Sequence, residues 1–288
     1  MFLPHKIIEE KLLRVLAEDA GMGDVTTSLL IPANANVEAS VIAKDTGVVA
    51  GIEEARILLE SLSINVEASM KDGTKAKPGN VVLQMRGDAR TILTAERTLL
   101  NLLSRMSGIA TATRNIVDQL QRARIKAGVA CTRKTAPGLL YFDKKAMEIG
   151  GGDTHRLHLD DMVLIKDNHT AIVGGVEKAV REAKEHASVS KKIEVEVTTV
   201  EDALRAAKAE ADIIMLDNFS PQKIRKAVEA LKKAKCDKKV LLEASGGINA
   251  KNVLEFAATG VDLVSLGELT QSSRAFNMSL EITPAKKA

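Results

Sequence analysis

Five short hydrophobic runs in the second half of the chain each lead into a polar residue or a glycine. These residues are Lys166, Glu196, Asp217, Glu243 and Gly267. Runs of this length, separated by segments with helical periodicity, predict the parallel strands of βα units. Because the C-terminal strand ends of a βα barrel meet at one mouth, we expect these residues to converge. A mouth with Lys166, the two carboxylates of Glu196 and Asp217, and a glycine-rich turn after Glu243 favours an anionic, phosphate-bearing substrate with a metal.

The first half of the chain predicts a mixed α+β block. Hydrophobic spacing there indicates an amphipathic first helix, several short strands and a long helical pattern over 91–106. Ser107-Gly108 interrupts this pattern, so a second, separate helix is expected from residue 109. The stretch 270–280 is expected to return toward this first block.

Length and composition exclude several classes of protein. At 288 residues the chain has room for a barrel of roughly 170 residues and a smaller domain. A net charge of +3 and the scarcity of aromatic residues argue against a nucleic-acid partner. Two cysteines are too few for a disulfide scaffold, and no apolar run reaches membrane-spanning length. We therefore expect a cytoplasmic protein that binds neither nucleic acid nor membranes.

Two cationic segments are candidates for binding acidic groups. Arg133 and Lys134 follow a predicted strand, where they either hold a carboxylate or phosphate or form a solvated pair. His155 and Arg156 follow three glycines, which either allow close approach to a ligand or form a plain loop. His155 and His158 are spaced as alternative metal ligands, although no cysteine partner accompanies them.

The ends of the later predicted strands carry the remaining candidates. Lys166 is either an anion-binding ammonium or a Schiff-base nucleophile of the aldolase type. Glu196 and Asp217 supply oxygen ligands for Mg²⁺ or ribose hydroxyls, although Glu196 is alternatively a salt-bridge partner of Lys166. Glycine turns on the last two strand ends predict a phosphate site. Its residues are Ser245, Gly246, Gly247 and Gly267.

A series of motifs recurs in a fixed order along nearly the whole chain. They span residues 18–19, 23–27, 95–98, 107–111, 132–138, 150–156, 164–169, 194–196, 216–218, 243–248 and 267–270. In this order they resemble the motifs of the quinolinate phosphoribosyltransferase family. The resemblance implies an N-terminal α+β sandwich domain, 1–108, with the tail 270–288 packed back on it. An incomplete, about seven-stranded α/β barrel would then occupy 109–269.

The same resemblance implies a reaction and an assembly. Quinolinate and phosphoribosyl pyrophosphate would give nicotinate mononucleotide, pyrophosphate and CO₂, with Mg²⁺ required, in NAD biosynthesis. The protein would be a homodimer, with a higher oligomer left open. The N-terminal domain of one subunit would cover the barrel mouth of the other, so that Arg97 reaches the partner's site.

The implied site residues divide between the two substrates. Quinolinate would be bound by Arg97, Arg133, Lys134, His155, Arg156 and Lys166. Phosphoribosyl pyrophosphate would be bound by Lys134, Lys166, Glu196, Asp217, Ser245, Gly246, Gly247 and Gly267. The catalytic residues would be Lys134, Lys166, Glu196 and Asp217, of which Glu196 and Asp217 would also hold the metal.

The chain departs from the family pattern at several positions, and other functions compete. The departures are His158, Asp160, Asp161, Gln271 and Asn277, and they leave substrate preference and pH optimum open. A nicotinate phosphoribosyltransferase, or a paralogue associated with molybdenum transport, would keep the same fold. A Schiff-base aldolase and a catalytically silent binding protein are alternatives from other classes. Four candidate cations around the acid favour quinolinate, because it carries two carboxylates.

Overall fold

The computed structural model describes residues 3–284, in which helices and strands alternate along the chain. The helices are α1 His5–Ala20, α2 Val25–Leu30, α3 Ile52–Ser61, α4 Ala89–Arg122, α5 Leu140–Ile149, α6 Asp167–Val173, α7 Val176–His186, α8 Val200–Lys208, α9 Pro221–Lys233, α10 Val253–Ala257 and α11 Glu268–Gln271. The strands are β1 Asn36–Ala43, β2 Gly47–Val48, β3 Asn65–Ser69, β4 Lys75–Ala76, β5 Val81–Asp88, β6 Gly128–Cys131, β7 Val163–Ile165, β8 Ile193–Val197, β9 Ile213–Asp217, β10 Leu241–Ser245, β11 Leu263–Leu266 and β12 Met278–Pro284.

The described chain divides into two compact units. The first comprises residues 3–112, 145–151 and 273–284, and the second comprises 113–144 and 152–272. The domain limits that the sequence suggested, 1–108 and 109–269, stay a prediction. Residues 285–288 of the predicted tail lie outside the described residues. Among residues 3–284, none of the helices has the length and apolar character needed to cross a membrane.

The first unit is built on an antiparallel sheet in the order β12-β1-β5-β3. Alternate residues of β1, such as Val41 and Ala43, are buried, as expected for a strand with one face on a core. Helix α1 buries the stripe formed by Ile8, Leu12 and Leu16 and packs against α3. The predicted α+β character of this block is confirmed.

Helix α4 contradicts the predicted break at Ser107-Gly108, because it continues from Ala89 to Arg122. The Ser107 hydroxyl accepts a hydrogen bond from the Ala50 N–H at 3.0 Å and donates to the Ala50 carbonyl at 3.2 Å. A Cβ atom on Gly108 would lie 2.2 Å from the carbonyl oxygen of Arg274. Ser107 and Gly108 therefore let the main chain of Ala50 and Arg274 pack closely against the helix, and they do not end it.

The second unit contains a parallel sheet in the order β6-β11-β10-β9-β8-β7. Beside β6, where a seventh strand was expected, the structure has a single parallel bridge between Ala130 and Asp153. The segment bends after this bridge, because His155 has a φ of 51° and cannot continue as a strand. The predicted incomplete α/β barrel is thus confirmed, with six strands and one bridge in place of about seven strands.

Strand β8 shows how this barrel places charged residues in its interior. Ile193, Val195 and Val197 are buried on the side of the strand that α7 and α8 cover. Glu194 and Glu196 alternate with them and therefore face the other way, toward the inside of the barrel. Glu194 is fully buried, whereas Glu196 lies nearer the strand end and is 12% exposed.

We expect Gly108→Ala to destabilise the protein, although alanine is the better helix former by about 1 kcal/mol. The added methyl group would meet the Arg274 carbonyl, and overpacking of this kind costs about 1–3 kcal/mol. Urea unfolding would measure the loss. Gln121→Ala, at an exposed position of the same helix, should change the free energy of unfolding by less than about 0.5 kcal/mol. Equal stability of Gly108→Ala and the wild type would contradict the close contact.

Candidate active site

The strand ends of the second unit enclose one cavity of about 600 Å³. Every residue of this unit that the resemblance assigns to the two substrates lines it. These residues are Arg133, Lys134, His155, Arg156, Lys166, Glu196, Asp217, Ser245, Gly246, Gly247 and Gly267. They come from separate strand ends whose register is parallel, as in the pairing of Ser245 with Asp217. Arg97 lies in the first unit, exposed on α4, and its role stays a prediction.

Lys166 and Glu196 form an ion pair at the mouth of the barrel. Their Nζ and Oε2 atoms are 3.1 Å apart, and the lysine side chain remains half exposed to the cavity. A lysine paired in this way is an ammonium, whereas a Schiff-base nucleophile needs the neutral amine. The arrangement therefore favours anion binding by Lys166, and it leaves the other lone pairs of Glu196 for a ligand.

The turn after β10 is suited to a close approach by a ligand. Gly246 and Gly247 have φ angles of 94° and 64°, in the left-handed region that favours glycine. A Cβ atom on Gly246 would lie 2.3 Å from the Asn218 side-chain oxygen. Asn218 in turn donates its N–H to the Ser245 carbonyl at 2.9 Å and its amide to Asp217 at 2.6 Å. The turns after β9 and β10 thus support each other.

Gly267 leaves room for Lys134 beside this turn. A Cβ atom at Gly267 would be 3.4 Å from Cδ of Lys134 and 3.6 Å from the Thr132 hydroxyl. The Thr270 hydroxyl donates to the Lys134 carbonyl at 2.9 Å, and the Lys134 N–H donates to the Thr132 hydroxyl at 3.2 Å. The Lys134 main chain is therefore fixed while its side chain reaches into the cavity.

His155 sits between two buried carboxylates at the floor of the cavity. Its Nε2 atom is 3.2 Å from Glu194 Oε2 and 3.1 Å from Glu243 Oε2. Both glutamates are almost completely buried, and the other oxygen of Glu243 accepts a hydrogen bond from Ser265. Neither oxygen of Glu194 has a partner with hydrogen-bond geometry, so its contact with His155 is an ion pair.

The charges in this cluster keep the imidazole protonated. Burial of His155 opposes protonation, but the close contacts with Glu194 and Glu243 and their negative charges outweigh it and raise the pKa of His155 to about 10. Burial raises the pKa of Glu194, an effect that the His155 contact opposes. An imidazolium can donate from both ring nitrogens, so His155 offers a positive group toward the cavity.

The two arginines lie beside a second cavity of about 490 Å³ that adjoins the first. Arg133, Arg156 and Lys166 line both cavities, and Leu164 adds an apolar wall. Burial and the nearby charge of Arg133 lower the pKa of Arg156. Two cations that repel each other in a partly desolvated pocket favour an anion between them.

The loop at 157–161, which departs from the family pattern, is stabilised by hydrogen bonds to the Asp161 carboxylate. Asp161 accepts hydrogen bonds from the N–H groups of Leu157 at 2.7 Å and His158 at 2.9 Å, and the His158 hydrogen bond is the main cause of its lowered pKa. Among residues 3–284, the three-residue group with metal-ligand spacing combines His155 with Glu194 and Glu243, and His158 is not part of it.

Sequence patterns missed two groups at this site. Glu243 was expected only as a strand end, yet it points inward and contacts His155. Lys144, within α5, donates to the main-chain carbonyls on either side of His155. A charged residue inside an apolar strand is the signal that identifies Glu243 as buried and paired. Lys144 stands next to Lys145 in a helical segment, and nothing in the sequence there indicates that its side chain is buried.

Comparison with known proteins agrees with this geometry. The family model for the quinolinate phosphoribosyl transferase C-terminal domain matches residues 109–281, and the N-terminal domain model matches residues 24–107. The chain belongs to the quinolinate phosphoribosyltransferase family. A probable nicotinate-nucleotide pyrophosphorylase (carboxylating) of Methanothermobacter thermautotrophicus is 46% identical over 272 residues, 94% of this chain and 98% of that protein.

Other relatives match the chain at lower sequence identity, and solved structures of the family match its fold. The human nicotinate-nucleotide pyrophosphorylase (carboxylating) is 38% identical over 245 residues, 85% of this chain and 82% of that protein. The structure of the nicotinate-nucleotide pyrophosphorylase from Francisella tularensis superposes with a TM-score of 0.89 at 36% identity, covering 98% of both chains. NadC from Streptococcus pyogenes gives 0.89 at 35% identity, covering 98% of this chain and 99% of that one.

We expect the His155 ring to remain protonated at about pH 8 and to lose its proton only near pH 10, as measured by NMR of the ring carbons. Because folding raises this pKa above the ordinary 6.5, the ion pairs stabilise the fold fully below pH 6.5. That stabilisation is lost as the pH rises through 10.

Glu194→Gln removes one of the two charges and should lower the pKa of His155. Glu201→Gln changes an exposed glutamate on α8 and should leave the titration unaltered. A folded wild type that titrates near pH 6.5 would contradict the ion-pair geometry.

Proposed function

We propose that the protein transfers the phosphoribosyl group of phosphoribosyl pyrophosphate to quinolinate, with loss of CO₂, in NAD biosynthesis. The products would be nicotinate mononucleotide, pyrophosphate and CO₂. One observation carries the proposal: Arg133, Arg156 and Lys166 line two adjoining cavities, and the larger of these is also lined by Glu196, Asp217 and the glycine turns. The relatives named nicotinate-nucleotide pyrophosphorylase (carboxylating) support the same reaction. A cytoplasmic location stays a prediction.

Quinolinate would occupy the cationic side. Arg133 and Arg156 would bind its two carboxylates as bidentate forks, and the His155 imidazolium would add a further donor. Lys134 lies beside Gly267 and Lys166 lines both cavities, so they would contact both quinolinate and the pyrophosphate. Such a pocket fits a dianion better than the monoanion nicotinate, because the second carboxylate would pair with the second arginine.

Phosphoribosyl pyrophosphate would occupy the other side. Ser245, Gly246, Gly247 and Gly267 would hold the 5′-phosphate through main-chain N–H groups and a hydroxyl. Glu196 and Asp217 would contact the ribose hydroxyls, and their negative charge would favour the positive charge that develops at C1. The carboxylates of Glu196 and Asp217 also suit Mg²⁺, which prefers oxygen ligands and is held by few carboxylates together with substrate phosphates. Bound there, Mg²⁺ would neutralise pyrophosphate charge.

The bond changes require mainly orientation and fixed charge. The pyridine nitrogen would form a bond to C1 while the bond from C1 to pyrophosphate breaks, and pyrophosphate would leave toward Lys134 and Lys166. The resulting pyridinium would accept the electron pair left on the ring carbon when CO₂ departs, and a proton from solvent would complete the product. Preorganised cations that hold both reactants in place supply the rate enhancement.

A direct assay tests this function. The protein is incubated with quinolinate, phosphoribosyl pyrophosphate and Mg²⁺, and CO₂ and nicotinate mononucleotide are measured, with nicotinate as the alternative substrate. We expect product from quinolinate and not from nicotinate, and none after chelation of Mg²⁺. Product from nicotinate alone would favour a nicotinate phosphoribosyltransferase. Trapping of a keto substrate by borohydride would favour the aldolase alternative.

Arg156→Ala should raise the Kd for quinolinate by about 10–100-fold, because a charge-assisted bidentate contact is lost. The Kd for phosphoribosyl pyrophosphate should change much less, since that substrate would lie on the other side. Arg181→Ala, which removes an exposed, ion-paired arginine of α7, is the matched control and should change neither. Isothermal titration calorimetry measures both constants. Equal losses for the two substrates would speak against this assignment.

We also propose that the active site is completed by Arg97 of the partner subunit in a homodimer. Arg97→Ala and Arg133→Ala should each be nearly inactive alone. After equal amounts of the two variants are mixed and subunits exchange, about half of the dimers are heterodimers, and each carries one site with both arginines. Activity should therefore recover to roughly a quarter of the wild type. Native mass spectrometry would establish exchange. Exchange without recovery would rule out the shared site.

A further inference from the structure

We propose that Lys144, a buried lysine of α5 outside the substrate cavity, is a positioning residue for the two side chains that recognise quinolinate. The inference rests on the function proposed above. Lys144 is completely buried, and its ammonium donates hydrogen bonds to the carbonyl oxygens of Thr154 and Arg156, the second at 3.1 Å. The Thr154 carbonyl lies in the peptide group before His155 and the Arg156 carbonyl in the one after Arg156, so one side chain holds the main chain on both sides of these two residues.

The two carbonyl oxygens explain why a charged residue occupies this buried position. Burial of an ammonium is costly, and here it lowers the pKa of Lys144. Among residues 3–284 the ammonium forms no ion pair with a carboxylate. Its hydrogen bonds go to the two main-chain carbonyls, and it also contacts the Cys131 side chain. An apolar side chain would avoid the burial of a charge, but it would leave the Arg156 carbonyl without this donor.

The segment that Lys144 holds has an unusual main-chain conformation. His155 has a φ of 51°, a region that few residues other than glycine adopt without support. Its N–H donates to the Asp153 side chain at 2.6 Å, and the Cys131 thiol lies 3.7 Å from the Thr154 carbonyl. Without these two hydrogen bonds from Lys144, which we call the Lys144 clamp, the main chain at His155 would relax toward the extended region. The side chains of His155 and Arg156 would then point in other directions.

Loss of the Lys144 hydrogen bonds should affect the quinolinate side of the site and not the phosphoribosyl pyrophosphate side. In the held conformation the His155 ring reaches Glu194 and Glu243, and Arg156 lines the cavity beside Arg133. The turn at Ser245–Gly247 is held instead by Asn218 and Asn252. Lys144 is therefore expected to affect quinolinate binding while phosphoribosyl pyrophosphate binding is retained.

The neighbouring residue offers a matched control. Lys145 is also buried, in the same helix, but its ammonium pairs with Glu53 and with Glu54 at 2.6 Å, within the first unit. Lys144→Met and Lys145→Met each remove one buried ammonium. Lys144→Gln keeps one amide donor and serves as a milder variant. Thermal unfolding would show which variants are folded at the assay temperature.

We expect Lys144→Met to raise the quinolinate Kd by about tenfold or more, as loss of a charged hydrogen bond does. Lys144→Gln should cause an intermediate loss. The Kd for phosphoribosyl pyrophosphate should change less than about twofold in both, and Lys145→Met should alter neither constant beyond that. The pKa of His155, measured by NMR without substrate, should fall in Lys144→Met and stay unchanged in Lys145→Met.

A comparison with a triple variant separates positioning from general destabilisation. If Lys144 acts through Arg156 and His155, Lys144→Gln should weaken quinolinate binding by less than about twofold when Arg156 and His155 are already alanine. Equal losses for both substrates, an unchanged quinolinate Kd, or full additivity in this background would overturn the inference. Failure of both Lys144 variants to fold would overturn it as well. A wild type that binds no quinolinate would instead reject the proposed function, and the His155 titration would still test the clamp.

Discussion

The active site depends on the burial of two carboxylates inside the barrel with only one imidazole between them. Glu194 and Glu243 come from separate strands and have almost no contact with solvent. Two such charges repel each other in a medium of low polarity, and a proton on His155 offsets this repulsion. The fold thereby keeps a positive group at the cavity floor over the whole physiological pH range, and the neighbouring arginines can then bind an acid in a fixed orientation.

Most of the cavity could be predicted from the sequence because one topological rule governs it. Once the hydrophobic runs are recognised as parallel strands, the residues after them must converge, and Lys166, Glu196 and Asp217 do so. The glycine turn at Gly246 and Gly247 follows the same logic, since its left-handed φ angles need glycine. Family resemblance added the substrates and the order of the motifs, which no rule of spacing supplies.

The parts that could not be predicted depend on contacts between distant segments. Ser107 and Gly108 have the composition of a helix break, yet they accommodate the main chain of Ala50 and Arg274. Lys144 and Lys145 are adjacent in a helical pattern, and only packing shows that both are buried toward different partners. Local periodicity describes one segment at a time, so it carries no information about which residue a distant segment will meet.

The pairing of β12 with β1 has a consequence for biosynthesis. Residues 36–43 leave the ribosome early, but one of their neighbours in the sheet, residues 278–284, is made some two hundred residues later. The barrel strands are all translated in between, so the second unit can fold while the first still lacks an edge. A nascent chain of this protein would therefore expose one unpaired edge of β1 until β12 is made, which makes it a natural substrate for chaperones.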